Sequence, residues 1–272
     1  MMLARFASPL SLILLSVFSV MTPVVSPPSW AQAPAPPAST RPALDPKAVA
    51  ILKAMGDRLA KAKTVKFTAV TTYENPSRLG PALAYHTLSQ VILQRPNKLQ
   101  IISPGDGPAS EFYYNGQTIM AFAPQENLVA IAEAPGTIDQ ALQFAYETAA
   151  IYFPFTDFLV ANPYGDLAKD LKTAFYIGQS QVIDGITTDI IAIATDKVFA
   201  QVWIGSQDQL PRMIRAVYRD DPSRLRHQVT FSDWQLDKPI PADTFGSSRT
   251  KTANPIPFKR PEPLQPKPTA QP

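Results

Sequence analysis

Few side chains in this sequence could carry catalysis or bind a metal. There is no cysteine, which excludes disulfides, thiolate metal sites and cysteine nucleophiles. The two histidines, His86 and His227, lie far apart on different predicted strands, whereas a metal site needs clustered donors. Neither a glycine-rich phosphate loop before a helix nor a Gly-x-Ser-x-Gly nucleophile motif is present. We therefore expect no cofactor, no metal and no enzymatic activity.

Arginines are concentrated in one part of the chain, at Arg212, Arg215, Arg219, Arg224 and Arg226. Such a patch can meet lipid headgroups or an acidic partner. It is also typical of a solvent-exposed strand face whose charges prevent sheet edges from pairing, and we favour this second interpretation. The formal net charge of the whole chain is +3, which is too small to indicate binding to nucleic acid or to an anionic membrane.

The remaining candidate chemistry is apolar, and it centres on residues 151–160, Ile-Tyr-Phe-Pro-Phe-Thr-Asp-Phe-Leu-Val. A segment that is apolar on all sides must be buried or covered. It is either a permanent part of the core or a displaceable lid over an apolar cavity, with hinges at Gly136 and Pro154. In the second case an acyl chain replaces the lid's contacts at about 0.8 kcal/mol per buried CH₂. The residues that we expect to form the cavity and its lid are Phe67, Leu142, Phe144, Phe153, Phe155, Phe158, Leu159, Trp203, Met213 and Phe231.

Residues 1–33 have the pattern of a signal peptide. Arg5 precedes the apolar run Leu10–Val20, and Ala31-Gln32-Ala33 fits a small-x-small cleavage site. The apolar run is too short to span a bilayer as a stable anchor, and prolines between residues 23 and 28 interrupt its extension. We expect export to the periplasm followed by cleavage, which leaves a soluble monomer. An uncleaved membrane anchor is the alternative.

Proline-rich stretches flank the part of the chain that can fold. Residues 34–44 are predicted to be a linker and residues 247–272 a disordered tail, because neither stretch has an apolar face to bury. Residues 45–246 are predicted to form one domain. A domain of this length can bury most of its apolar surface without disulfides.

Two helices are predicted within this domain. Asp45 and Pro46 fit the cap and first position of a helix, and the apolar residues from Val49 to Leu59 recur at helical spacing. Thr137-Ile138-Asp139-Gln140 is a capping-box pattern that begins a second helix, which Pro154 ends or kinks. A third short helical turn can follow in residues 155–159.

The rest of the domain reads as short strands. Eleven are predicted, at residues 65–73, 85–94, 98–103, 111–114, 117–122, 128–132, 173–182, 187–194, 198–204, 213–219 and 225–236. Asn115-Gly116 is a strong hairpin signal because both turn positions need positive φ. Short connections favour a consecutive antiparallel sheet, and so long a sheet curls. The predicted fold class is α+β, an open antiparallel half-barrel of about eleven strands wrapped around two or three helices.

Several segments resemble the LolA/LolB lipoprotein-carrier superfamily. They are Val202–Arg212, with its Trp-Ile and Leu-Pro pairs, Tyr114–Gln117, and Val229–Leu236 followed by Ile240–Phe245. The order of elements is similar to that superfamily, above all to a family of predicted periplasmic proteins of unknown function. The resemblance implies a half-barrel whose helices cross its mouth over an apolar cavity. It further implies a hydrophobic ligand, such as a lipid or the acyl chain of a lipoprotein.

Two functions follow from these observations. The first is non-enzymatic binding or carriage of a hydrophobic ligand. The second is an envelope protein-interaction or sensor module with a filled core, whose protein partner binds the sheet edge or the proline-rich tails. A cavity larger than about 300 Å³ favours the first and a solid interior the second.

Overall fold

The computed structural model describes residues 43–105, 107–134 and 136–260. The predicted signal peptide, most of the linker, and the tail from residue 261 lie outside the described residues. The helices are α1 (Pro46–Lys61), α2 (Ile138–Ala149) and α3 (Pro163–Ala168). The strands are β1 (Thr64–Asn75), β2 (Leu83–Gln94), β3 (Lys98–Ser103), β4 (Ser110–Tyr114), β5 (Thr118–Ala123), β6 (Leu128–Glu133), β7 (Thr173–Ser180), β8 (Thr188–Ala194), β9 (Val198–Gly205), β10 (Pro211–Tyr218), β11 (Arg226–Leu236) and β12 (Asn254–Ile256). Among the described helices, none is long and apolar enough to cross a membrane.

All twelve strands belong to one open sheet in the order β12-β6-β5-β4-β3-β2-β1-β11-β10-β9-β8-β7. Strands β1 to β6 pair consecutively as antiparallel hairpins, as do β7 to β11, and β11 lies beside β1, so that β6 and β7 lie toward opposite edges of the sheet. The exception is β12, which pairs in parallel with β6. The helices pack on the concave face, where the core lies. The predicted α+β open half-barrel is therefore confirmed, with one strand more than expected.

The concave face is set by the alternation of side chains along β1 and β11. Ala69 lies opposite Phe231, and Thr71 lies opposite Val229; all four are buried. A β-bulge at Asp233, whose φ is 57°, shifts the alternation by one residue. Trp234 consequently stacks on Phe67 on the concave face, with 4.5 Å between ring centroids.

The predicted helix starts are confirmed. The Asp45 carboxylate accepts the Lys47 amide of α1 at 2.9 Å, and Thr137 and Gln140 form the expected capping box of α2. The end of α2 differs from the prediction. The helix stops at Ala149, where Ala150 takes a left-handed conformation with φ 56°, so Pro154 neither ends nor kinks it.

A helix that the sequence analysis did not predict, α3, packs against α1. The Asn162 side chain accepts the Gly165 amide at 3.0 Å, and Pro163 occupies the first turn. The backbones of the two helices meet at Gly56. A Cβ at this position would lie 2.6 Å from the Cβ of Tyr164, so the absence of a side chain permits the contact.

The C-terminal end of the domain corrects a predicted boundary. The sequence predicts disorder from residue 247, but residues 247–260 are ordered against the domain. They form a 3₁₀ turn at Ser248–Lys251 and the strand β12, and the Phe258 ring then stacks on Phe144 with 5.8 Å between centroids. Arg260 donates to the carbonyl of Glu147 at the end of α2. The predicted disorder of this segment rested on its proline content, but a proline such as Pro255 is tolerated in a strand at the edge of a sheet.

The opposite edge of the sheet is covered in a similar way. Ala174 of β7 donates its amide to the carbonyl of Ala43 and accepts the amide of Asp45, both at 2.9 Å. The Asp45 carboxylate also accepts the Tyr176 amide at 3.2 Å. One aspartate therefore caps α1 and satisfies a donor of the edge strand.

Candidate functional site

The structure brings most of the predicted cavity residues together. Phe67, Leu142, Phe155, Phe158, Leu159 and Phe231 are buried in one core cluster on the concave face, and Phe144 and Phe153 pack partly buried against it. Trp203 and Met213 were wrongly assigned to this group. They lie opposite each other in the β9–β10 pair, whereas their neighbours Val202 and Ile214 pack in or against the core. Side chains alternate along a strand, so Trp203 and Met213 lie on the convex face.

The centre of the cluster is a set of aromatic rings in edge-to-face contact. Phe67 lies 5.8 Å from Phe155 and 5.7 Å from Phe231, and Phe158 lies 5.0 Å from Phe231, between centroids. Such contacts add about 0.5–1.5 kcal/mol per pair to the free energy of apolar burial. Phe155, Phe158 and Leu159 are therefore part of the core and fill the concave face over β1 and β11.

Beside this filled region, the first part of the apolar stretch borders open space. A cavity of about 650 Å³ lies between α2 and the segment that follows it. It is lined by Asp139, Leu142, Gln143, Tyr146, Ile151, Tyr152, Phe153, Thr156, Val160, Asp166 and Tyr218. A second cavity of about 490 Å³ extends over β4, β5 and β6 to residues 256–259, and a third of about 260 Å³ lies against β8, β9 and β10.

Tyr152 lines all three cavities, which we call the Tyr152 grooves. Its side chain is 56% exposed, whereas Phe155, three residues further along, is 1% exposed. Tyr152 is thus a wall common to three neighbouring cavities, and Ile151 and Phe153 line the first two. Sequence analysis included this residue in the apolar stretch but not among the site residues, because nothing in the sequence distinguishes it from the aromatic residues around it.

Two polar side chains of the grooves, Tyr152 and Asp157, have raised pKa values. Although more than half of Tyr152 is exposed, the desolvation of its buried part raises its pKa, and the nearby Tyr218 and Asp157 act in the same direction. Burial also raises the pKa of the Asp157 carboxyl, with a further contribution from Asp166. The Tyr218 ring is held edge-to-face on His227 at 5.3 Å. Walls of this kind suit an apolar ligand with a small polar end.

The histidines do not meet. His86 lies 2.9 Å from the Thr72 hydroxyl, and His227 lies opposite Tyr73 in the β1–β11 pair. Thr72 and Tyr73 are consecutive in β1, so their partners lie on opposite faces of the sheet. Within the described ranges, no group of three or more histidine, aspartate or glutamate side chains could hold a metal ion.

A buried acid that the sequence analysis did not single out lies at the wall of the second groove. Glu111 is 7% exposed and accepts a hydrogen bond from the Tyr113 hydroxyl at 2.7 Å. Its other carboxylate oxygen accepts from Arg249, in the 3₁₀ turn that leads to β12. The pair joins the C-terminal segment to β4, so the wall formed by residues 256–259 is fixed to the sheet.

Tyr113 gives this network a measurable pH dependence. Burial and the Glu111 carboxylate raise the pKa of Tyr113 to about 12 from its ordinary value near 10. Because the folded state favours the neutral phenol, this contribution to stability is complete below about pH 10 and is lost as the pH rises toward 12.

We expect the free energy of unfolding of Tyr113→Phe to fall less steeply than that of the wild type between about pH 10 and pH 12. Urea unfolding at several pH values in this range measures the difference. The exposed Tyr85→Phe is the control. If the free energy of unfolding fell equally steeply with pH in the wild type and in Tyr113→Phe, the raised pKa of Tyr113 would be contradicted.

A family model described as "Predicted periplasmic protein (DUF2092)" matches residues 48–259. The chain belongs to this family. The match begins in α1 and ends after β12, so the family's shared region includes the C-terminal segment as well as the half-barrel. Periplasmic localisation, predicted from the sequence, is confirmed by the family, as is the resemblance to predicted periplasmic proteins of unknown function. No curated protein matches the DUF2092 chain.

Solved structures similar to this DUF2092 protein include LprF from Mycobacterium bovis, with 16% identity and a TM-score of 0.45 over 74% of this chain and 98% of that one. An uncharacterized conserved protein from Thermus thermophilus has 10% identity and a TM-score of 0.44, over 79% and 99% of the two chains. The LolA superfamily protein NE2245 from Nitrosomonas europaea has 10% identity and a TM-score of 0.36, over 74% and 97%. At this low similarity, these structures indicate nothing about the ligand or the partner of the DUF2092 chain.

Proposed function

We propose that this periplasmic protein binds a hydrophobic small molecule, a lipid or the acyl chain of a lipoprotein, in the Tyr152 grooves and without catalysing a reaction. The observation that supports the proposal is the cavity of about 650 Å³ between α2 and residues 151–153. Its volume falls within the range of roughly 300–1,000 Å³ that is typical of ligand sites. Its wall is built largely from aliphatic and aromatic side chains.

The grooves offer such a ligand enough contact energy. Burial of a chain of about twelve methylenes contributes on the order of 10 kcal/mol, from which the loss of translational and internal freedom is subtracted. Because Tyr152 is the common wall of the grooves, a movement of this side chain would let a single tail extend from one groove into the next. In this proposal the movable lid is confined to residues 151–154, since Phe155 and Phe158 are fixed in the core.

The test is a titration with a fluorescent fatty-acid probe. Tyr152→Asp places a carboxylate on the wall shared by the grooves, at a side chain exposed enough to accept it, and we expect the affinity to fall at least about tenfold. Ile131→Asp is the matched control, because Ile131 is an exposed apolar residue that lines none of the grooves. Absence of saturable binding by the wild type would refute the proposal, and equal affinities of the two variants would refute the site.

The strand β12 favours a second candidate function, that of a protein-interaction module. It has three residues, all exposed, with Pro255 at its centre. An extended peptide from a protein partner can take such a place on the edge of β6 by β-augmentation. Co-purification of a protein partner, together with no binding of the fatty-acid probe, would favour this candidate over the first.

A further inference from the structure

The convex face of the sheet carries a row of residues at the ends of β9, β10 and β11. Val217 of β10 lies between Phe199 on one side and Arg226 on the other. Arg215, two residues before Val217, lies on the same face, between Gln201 and Gln228. The register therefore places Arg215 and Arg226 on neighbouring strands and on the same face, opposite the Tyr152 grooves.

Two further arginines, Arg219 and Arg224, come from the turn that joins β10 to β11. Together the four border a cavity of about 580 Å³, whose remaining lining is Thr173, Ala194, Phe199 and Val217. We call this cavity the arginine groove. Its lining combines the four cationic side chains with the apolar side chains of Phe199 and Val217, whereas the lining of the Tyr152 grooves is mainly apolar.

The positive charge of the arginine groove is only partly compensated, by the Glu74 carboxylate, which also attracts Arg215. Arg226 forms an ion pair with Glu74, and Arg219 donates to the neutral carbonyl of Thr195 at 3.1 Å. The Arg215 and Arg224 side chains have neither a hydrogen bond nor an ion pair with any residue that the structure describes.

The acids of the same turn do not fill this role. The Asp221 carboxylate accepts the amides of Ser223 and Leu225, at 2.9 and 3.0 Å, and so serves the turn itself. Asp220 is not part of the groove lining. Guanidinium groups held near one another repel, and an anion between them would remove that repulsion.

We infer that the arginine groove binds a phosphate group, either free or carried by an ester. The planar guanidinium matches phosphate oxygens in pairs of parallel hydrogen bonds, and several arginines converging from two strands and a turn can each contact a different oxygen. A phosphate monoester carries about two negative charges, which suits an excess of positive charge better than a single carboxylate does. Phe199 and Val217 offer an apolar surface to the organic part of an ester. This inference does not depend on the function proposed above.

The experiment is calorimetric titration of the purified protein with inorganic phosphate and with glycerol phosphate, at constant ionic strength, and with acetate for comparison. We expect saturable binding of both phosphates and weaker binding of acetate. Arg215→Gln/Arg224→Gln removes the two unpaired guanidinium groups, and we expect it to weaken phosphate binding at least about tenfold. Lys61→Gln/Lys251→Gln removes the same charge from exposed positions outside the groove and should keep the wild-type affinity.

Three outcomes would overturn the inference. The first is no saturable binding of either phosphate by the wild type. The second is equal weakening in the two double variants, which would indicate a general charge effect. The third is binding to phosphatidylglycerol vesicles without binding of either soluble phosphate, which would indicate a membrane surface instead. Circular dichroism melting of both variants checks that neither result reflects unfolding.

Discussion

Phe155→Ala is expected to lower the free energy of unfolding by about 3–5 kcal/mol, the range typical of truncating a buried phenylalanine. The ring is 1% exposed and lies between Phe67 and Phe153, at centroid distances of 5.8 and 5.9 Å. Removing it leaves a cavity in the aromatic cluster that joins β1 to the segment after α2. Urea unfolding, followed by far-ultraviolet circular dichroism, measures the change.

Tyr152→Ala is the matched control, because it truncates an aromatic residue of the same segment that is 56% exposed. We expect this variant to lose less than about 1 kcal/mol. If Phe155→Ala also lost less than about 1 kcal/mol, residues 155–159 would not be packed in solution. The whole stretch from residue 151 would then act as a displaceable lid.

Gly56→Ala is expected to destabilise the protein by roughly 1–3 kcal/mol, although alanine is the better helix former by about 1 kcal/mol. The new Cβ would lie 2.6 Å from the Cβ and 2.7 Å from the amide nitrogen of Tyr164. Because backbone atoms are involved, the clash is relieved only if α3 moves away from α1. Denaturant unfolding measures the loss.

Ala50→Gly on the exposed side of α1 measures helix propensity alone, and we expect it to cost about 1 kcal/mol. A gain of stability in Gly56→Ala would show that the contact between α1 and α3 is looser than described. A loss in both variants shows that close backbone packing outweighs propensity at residue 56.

The sequence predicted the regular elements well, because their signals are local. Asn115-Gly116 did mark a hairpin, and Thr137 did begin a helix with its capping box. The helix α3 was not predicted because its start, Asn162-Pro163, is as typical of a turn as of a helix cap, and its six residues are too few for a helical repeat.

The candidate site was predicted less completely, because it depends on which face of the sheet a side chain occupies. Met213 was included for its apolar character, although it shares its strand face with Arg215. Trp234 was left out, and only the bulge at Asp233 places it beside Phe67. Such register changes arise from tertiary pairing and leave no clear pattern in the residues themselves.

The covering of both edges of the sheet affects how readily the exported protein aggregates. An uncovered strand invites a second molecule to continue the ladder, and this is how many β proteins begin to form fibres. At one edge, the backbone of Ala174 in β7 is already hydrogen-bonded, through its amide to Ala43 and through its carbonyl to Asp45. At the other edge, Asn254–Ile256 covers β6, and its central proline has no amide hydrogen to donate. Self-propagating polymerisation would first require one of these segments to peel away, so a concentrated solution of the folded domain should resist it.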